Sequence, residues 1–455
     1  MAKKKQIELS IEEKLQNALV PKEEQPYKIP SNWCWVRLES INKYKSETLN
    51  PKNAMEKMFE LYSVPSFDNK YPEILIGKDI GSNKYIVKKN DILLCKINPR
   101  INRVWQVYQH TNFGQICSSE WIVIRNEILN KSFLRYYFTS EYFRNRLCEN
   151  VSGVGGSLTR AKPKLVQLYE VPLPPINEQQ RIVNIIESLF AKLDRAKELI
   201  ENTLAQFEQN KMAILHKAFT GELTAKWRKE NNIDLSSWEI VSIKDIGEVK
   251  GGKRLPKGEM LVNENTGHPY IKAGNLKNGT VAFNDLQYLK PQVYEKIKKY
   301  IVKENDVYIT IVGACIGDVG IIPKEVNGAN LTENAAKITN LKCNAKFLSI
   351  QLSISSVQKQ IKGKIASATL GKLSLQNIKN IQIKMPTIEE QQEIVNILDN
   401  LLAKYNKIKN LEQQLEKIEL LKKAILAKAF RGELGTNNPD EESAENLLKE
   451  ILAEK

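Results

Sequence analysis

The chain has 455 residues, 42% of them apolar, and its 68 Lys and Arg against 53 Asp and Glu leave a formal net charge of +15. A chain of this length exceeds a single core and predicts two or more domains. It holds no run of about 20 apolar residues to span a bilayer. Its basic start, MAKKKQIELS, lacks the apolar stretch of a secretion signal. The six cysteines (Cys34, Cys95, Cys117, Cys148, Cys315 and Cys343) are scattered, with no C-x-x-C. They predict reduced thiols in a cytoplasmic protein, not a zinc site or a disulfide framework.

In chain order, residues 1–25 read as a helical arm, with a helix over 7–19 capped by Ser10 and Glu13. Residues 26–175 carry short β-branched runs broken by Gly, Asn and Asp, which read as strands and turns. A long helix and linker follow (176–230), then a second strand-rich domain (231–385), a second long helix (386–434) and an acidic tail (435–455). The tail reads as a flexible hinge with a short amphipathic helix, packed on a partner or on the N-terminal arm.

The two halves repeat. Residues 175–192 align without a gap with 387–404, an offset of 212, and 11 of these 18 positions are identical. KAFTGEL (217–223) answers KAFRGEL (428–434), and NKYIVKKNDILLCKI (83–97) answers KKYIVKENDVYITIV (298–312) more loosely. An interval this long means duplicated domains rather than a solenoid, whose units recur every 20–50 residues. Apolar residues at steps of three and four mark each long segment as a helix with a coiled-coil seam. Thr387 with Glu390 makes a capping box, Asn177 with Gln180 a looser one, and Gly221 and Gly432 are the stops. Each helix would run about 43 residues, roughly 65 Å at 1.5 Å per residue, and needs a partner, the nearest being the other copy.

The charge is unevenly placed. Residues 26–175 hold 22 Lys and Arg against 13 Asp and Glu, and residues 231–385 hold 22 against 13 again. The helices are close to neutral. Two equally basic domains on neutral spacers predict two surfaces for a polyanion.

No catalytic constellation emerges. His110, His216 and His268 have no metal-ligand spacing. VSGVGGSLTR (151–160) lacks the Gly-Lys-Ser/Thr ending of a phosphate loop. GACIGDVG (313–320) is not the dinucleotide fingerprint and reads as a turn between strands. In KINPR (96–100) Arg100 follows Pro99, where an adenine methyltransferase motif would have a second proline and an aromatic residue.

These residues carry a resemblance. LPPINEQQRIV and MPTIEEQQEIV opening the long helices, KAFTGEL and KAFRGEL closing them, ALVPKEEQPYKIPSNWCWVRLESI (18–41) leading in, and GGKRLPKG…PYIKAGNL (251–276) resemble the specificity subunit of a type I restriction-modification system over nearly the whole chain. The resemblance implies an α+β fold. Two strand-rich α/β target recognition domains would be separated by two long antiparallel helices forming a coiled coil, in a pseudo-two-fold arrangement. Each domain would read one half of a bipartite, asymmetric double-stranded DNA target, and the helices would set the spacer. It implies a non-catalytic chain that holds no cofactor. The partners would be two modification subunits carrying S-adenosylmethionine and two restriction subunits using ATP and Mg.

Base edges are read by Arg, Lys, Asn and Gln, and phosphates by Lys, Arg and backbone amides. The candidate DNA contacts in the first domain are therefore Lys96, Asn98, Arg100 and Arg103 in KINPRINR, then Arg160 and Lys162. In the second they are Lys253, Arg254 and Lys257, then Lys272 and Asn275. Solvated surface charge is the alternative for each. Glu178, Gln179 and Gln180, with Glu390, Gln391 and Gln392, are polar residues that a seam does not require. They point to docking of a partner, with helix capping as the alternative.

Overall fold

The computed structural model describes residues 9–152, 159–365, 371–406 and 409–454. The three glycines of VSGVGGSLTR lie in 153–158, outside the described residues. Two compact units emerge. The first comprises residues 1–200 and 412–455, the second 201–411.

In the first unit, Cys34–Arg37 pairs antiparallel with Glu170–Leu173, so the domain begins and ends on neighbouring strands. Between them lie a five-stranded sheet, ordered Thr48–Leu49, Lys84–Ile86, Gly114–Cys117, Met58–Tyr62, Glu73–Ile76, and a three-stranded sheet, Val104–Gln106, Ile92–Cys95, Trp121–Ile124. The second unit opens and closes the same way, Glu239–Ser242 against Gln382–Met385. It holds a four-stranded sheet, Glu248–Gly251, Ala335–Thr339, Val307–Thr310, Val319–Ile321, and a three-stranded one, Gln287–Tyr288, Pro269–Ile271, Asn330–Leu331.

The loose echo between KKND and KEND is one turn built twice. Asn90 (φ 77°) and Asn305 (φ 64°) take the left-handed region that Asn tolerates. The following carboxylates, Asp91 and Asp306, accept from the amides of Lys88 at 2.8 Å and Lys303 at 2.9 Å. In GACIGDVG, residues 313–317 form the turn, with Gly313 and Gly317 both at positive φ, and Val319 and Gly320 already belong to the next strand.

A strand-and-turn reading of these domains is incomplete. Each also holds a pair of helices, Lys131–Thr139 with Glu141–Glu149 and Ala345–Ser353 with Ser355–Gly363. Asn130 and Asn344 cap the first of each pair, accepting from the amides of Phe133 and Phe347 at 3.0 Å. These helices carry much of the core: Phe133, Phe138, Phe143 and Phe347 are fully buried.

The long helix runs Ile176–Thr220, 45 residues, and stops at Gly221 (φ 85°). Its counterpart is described over Ile388–Asn406 and Lys409–Phe430, stopping at Gly432 (φ 73°). Within the first unit the two helices run antiparallel, because Asp194 meets Lys422 (2.5 Å) and Lys197 meets Glu419 (3.0 Å). Within the second, Ala218 and Phe219 share a core with Ile394, Val395 and Leu398. Burial is complete at these ends, as at Ile182 and Ile186. It is partial through Leu189, Leu193 and Leu204, where one helix covers only part of the stripe.

The arm forms helix Ile11–Ala18, with the Ser10–Glu13 capping box in place. The tail is not a hinge. Asn32 donates to the Asn438 carbonyl at 3.0 Å, the Ala444 amide to Asn32 at 2.9 Å, and Arg181 pairs with Glu441 at 2.7 Å. Helix Ala444–Ala453 then packs on the arm helix and buries Leu448 and Ile451. All six cysteines are free thiols, and burial pushes Cys34 up to about 12. No helix of the described residues is long and apolar enough to cross a membrane.

Candidate nucleic-acid interface

The E-Q-Q triplets anchor each strand-rich domain to the start of its long helix. Glu178 and Glu390 are 0% exposed. Glu178 accepts from Trp33 Nε1 at 2.7 Å, Thr436 Oγ1 at 3.1 Å and Asn437 Nδ2 at 3.0 Å. Glu390 accepts from Trp238 Nε1 at 2.9 Å, Thr224 Oγ1 at 2.6 Å and Arg228 Nη1 at 2.6 Å. Gln179 and Gln391, also buried, accept from the Asn130 and Asn344 amides (3.0 and 2.8 Å) and donate to the Pro174 and Pro386 carbonyls (2.9 and 2.8 Å). Gln180 and Gln392 each accept from the same Asn side chain at 2.8 Å.

Each triplet thus ties the start of a long helix to the first strand and to the helix pair of its own unit. A carboxylate with three internal donors and no exposed surface is satisfied within its unit and out of reach of a visiting protein. The docking surface that the sequence suggests therefore narrows to the exposed Gln180 and Gln392. The expected capping boxes are also corrected. Thr387 Oγ1 accepts the Glu390 amide at 3.4 Å, but the Glu390 carboxylate points to Arg228 instead of folding back. Asn177 lies inside the first turn, since the helix starts at Ile176.

In the first unit the candidate DNA contacts converge. The Ala161 amide donates to the Lys96 carbonyl (2.8 Å), the Asn98 amide to the Thr159 carbonyl (2.8 Å), and Ile97 bridges Arg160. Lys96, Asn98, Arg100, Arg103, Arg160 and Lys162 therefore share one loop cluster. Pro99–Ile101 forms a single tight turn between two left-handed residues, Asn98 (φ 48°) and Asn102 (φ 52°). Asn98 Oδ1, Asn102 Oδ1, Arg103 Nε and, on the adjoining helix, Arg135 Nε are buried without a partner among the described residues. Unpaired buried polar atoms are uncommon, and these four lie close to the basic side chains of the cluster. Arg160 faces Glu120 at 3.3 Å, an exposed and therefore weak pair. Ile101, 49% exposed at the tip, escapes a search for polar contacts, yet an apolar side chain there suits a thymine methyl.

The second-unit candidates sit elsewhere in their domain. The Lys253 amide donates to the Leu331 carbonyl (2.8 Å) and the Thr332 amide to the Ile271 carbonyl (3.0 Å), which gathers Lys253, Arg254 and Lys272 beside one segment. Lys253 lies 5.5 Å over the Tyr300 ring, Lys272 Nζ bonds Gln287 at 3.0 Å, and Arg254 pairs with Glu333 at 2.6 Å. Burial pushes Glu333 up, but hydrogen bonds led by Arg254 outweigh it and hold the carboxyl below its ordinary range. Lys257 is exposed. Asn275 is corrected. It is 3% exposed, and its side chain serves its own turn, accepting from the Lys272 amide at 3.0 Å and donating to the Ala282 carbonyl at 3.2 Å.

The counterpart of the first-unit cluster is a position that sequence reasoning missed, Lys372. Val312 bridges Lys372 as Ile97 bridges Arg160. The Leu373 amide bonds the Ile311 carbonyl (3.0 Å) as Ala161 bonds Lys96, and the Ile311 amide bonds Asn334 (2.8 Å) as Lys96 bonds Glu120 (3.0 Å). The signal was available, because the gapless offset of 212 extends back through Arg160 and Lys372.

Comparison with known proteins agrees with this duplication. The family described as type I restriction modification DNA specificity domain matches twice, over residues 30–206 and 236–420. The chain is 29% identical to the EcoBI type I restriction enzyme specificity subunit of Escherichia coli, over 75% of this chain and 74% of that one. It is 26% identical to the EcoKI specificity subunit of E. coli K12, over 84% of each. Among solved structures, one from work on complex assembly and conformational transition of the type I R-M system superposes with a TM-score of 0.72 at 21% identity, covering 90% of this chain and all of that one. The HsdS subunit of Thermoanaerobacter tengcongensis gives 0.56 at 22% identity, covering 90% and 100%. At these identities the structures speak to the fold alone. The double family match spans most of the chain, which belongs to the type I restriction-modification specificity subunits.

Proposed function

We propose that this chain reads a bipartite, asymmetric DNA target, one recognition domain per half-site, and recruits modification and restriction subunits to it. The observation that carries the reading is the duplicated frame. The same Glu, Gln and Gln anchor the same strand and helix pair in both units, while the loops hung on that frame differ. Equivalent mounts with unlike loops suit two unlike half-sites. The helices set the spacer, since one base pair more or less moves a half-site by about 3.4 Å and turns it by roughly a tenth of a turn.

In the first unit Arg100, Arg103 and Ile101 face bases, while Lys96, Arg160 and Lys162 hold phosphates. In the second, Lys372 joins Lys253, Arg254, Lys257 and Lys272. Two modification subunits supply S-adenosylmethionine and the adenine-methylating chemistry. Two restriction subunits supply ATP- and Mg-dependent translocation and cleavage. The exposed Gln180 and Gln392, in equivalent places, suit two copies of one partner.

The test is a map of adenine methylation in the host genome with this gene intact and deleted. A split motif that vanishes on deletion is the expected result. Survival of every motif, with no salt-dependent DNA binding by the purified chain, would overturn the reading. Arg100→Ala is expected to weaken binding through the first half-site only. Equal loss on DNA altered in either half would reassign it to a phosphate.

A further inference from the structure

The two units differ in what covers their first strand. In the first unit the N-terminal arm lies along the outer edge of Cys34–Arg37. The Val20 amide donates to the Trp35 carbonyl at 2.9 Å, and Leu19 bridges Val36. Trp35 Nε1 donates to the Tyr27 carbonyl at 3.2 Å. The Tyr27 ring stands edge-on to Trp35 (4.9 Å) and Tyr142 (5.5 Å), with the Arg431 guanidinium 5.4 Å above it. Trp35 is left 1% exposed. Beyond Tyr27 a hollow of about 310 Å³ remains against the last turns of helix Lys409–Phe430.

In the second unit the equivalent strand, Glu239–Ser242, pairs only with Gln382–Met385 among the described residues. Ile240 holds the place of Trp35, one residue past Glu239 as Trp35 is one past Cys34 in the matching register, and it is 68% exposed. A groove of about 900 Å³ runs from Ile240 between Met212, Leu215 and Phe219 of the long helix and Ile354 at the corner of the helix pair. Met212 is 61% exposed. Lys211, Lys359 and Lys384 flank the groove against one acid, Glu208.

An open strand edge beside exposed Ile and Met is the kind of surface that proteins cover. The first unit shows what covers it: an extended segment that bonds to the strand edge and sets one aromatic ring against the residue at position 35. This chain's own arm is committed there, and in a second copy it would be committed likewise.

We propose that the groove of the second unit seats an extended segment of the modification subunit, which adds along the free edge of Glu239–Ser242 and places one aromatic side chain against Ile240. Acidic residues beside that anchor meet Lys211, Lys359 and Lys384. This is strand addition with a single pocket, in which main-chain bonds supply affinity and the ring supplies specificity. It rests on the specificity-subunit reading, and it makes the two partner seats unequal.

The test titrates purified modification subunit onto the full chain. Ile240→Asp and Met212→Glu are each expected to lower affinity at least tenfold, with melting temperature and DNA binding of the variants unchanged. Hydrogen exchange on the unaltered complex keeps the proposal open to refutation if a variant misfolds. Amides 239–242 should slow on assembly, while 34–37, already covered, should not change. Full affinity in both variants, or unchanged exchange at 239–242, would overturn the groove and leave the family reading standing. Self-association of the chain that Ile240→Asp abolishes would assign the groove to a second copy and overturn the partner proposed here. A chain that never assembles with modification subunit would overturn both.

Discussion

The first unit is closed by both ends of the chain, whereas the second is closed by a short internal linker. Both solve the same problem, a buried glutamate at the start of a long helix. Glu178 is satisfied by neutral groups from the tail, Thr436 and Asn437, together with Trp33. Glu390 is satisfied by Thr224, Trp238 and the Arg228 guanidinium, on a six-residue helix just after the stop. The difference teaches that the frame is specified by its acceptor, and that whatever chain is nearby can supply the donors. It also says where each unit is vulnerable.

The largest test of that contrast is removal of residues 437–455. Losing Leu448, Ile451 and Leu452 from the first core, at about 1.5–3 kcal/mol for each fully buried side chain, should destabilise that unit by several kcal/mol. Hydrogen exchange should report the loss in the first unit only. Equal loss in both would mean that the tail supports more than its own unit.

Next comes the buried acceptor itself. Glu390→Gln leaves the buried Arg228 guanidinium without its counter-charge, although it keeps its bonds to Thr224 and Gly221, and should cost about 3–5 kcal/mol. Glu178→Gln, whose partners are neutral, should cost only about 1–3 kcal/mol. Denaturant melts of the two variants would compare them directly, and the reverse order would show that the tail, not the guanidinium, makes the tighter closure.

A smaller effect is expected on DNA. If Arg160 and Lys372 are equivalent phosphate contacts, each alanine variant should lower the slope of log K against log salt by about 1, uniformly across sequences. Loss at Arg160 with none at Lys372 would break the equivalence that the backbone pairing suggests.

The smallest effect is a response to acid confined to the first unit. Burial pushes the Glu60 carboxyl up, but bonds from Gln115, Thr111 and the His110 amide outweigh it, so the group is held below its ordinary 4.5. A depressed carboxylate contributes stability that is present above the unfolded value and lost as pH falls through the folded one. Exchange in the loop 108–113 should therefore rise below about pH 4.5, and Glu60→Gln should remove most of that dependence.

Repetition and periodicity already determine much of this protein in the sequence. The offset of 212 exposes the duplication, the steps of three and four give the long helices, and Gly221 and Gly432 end them where a left-handed residue is needed. These are local properties, carried by backbone preferences within a few residues. The helix pairs after Asn130 and Asn344 were also legible, through their caps, but were obscured by the β-branched runs around them. What only the tertiary structure decided is which polar groups are spoken for. Glu178 and Gln179 look like a docking surface until Trp33 and Asn437 are seen to meet the first and Asn130 the second, all far away along the chain. Asn275 looks like a base reader until its own turn claims it. Tyr27 covers Trp35 while Ile240 stands open. For Glu178 the partners lie 145 and 259 positions away, so no local window of the sequence contains them, and even the short-range pairs of Asn275 and Tyr27 depend on how the chain folds around them.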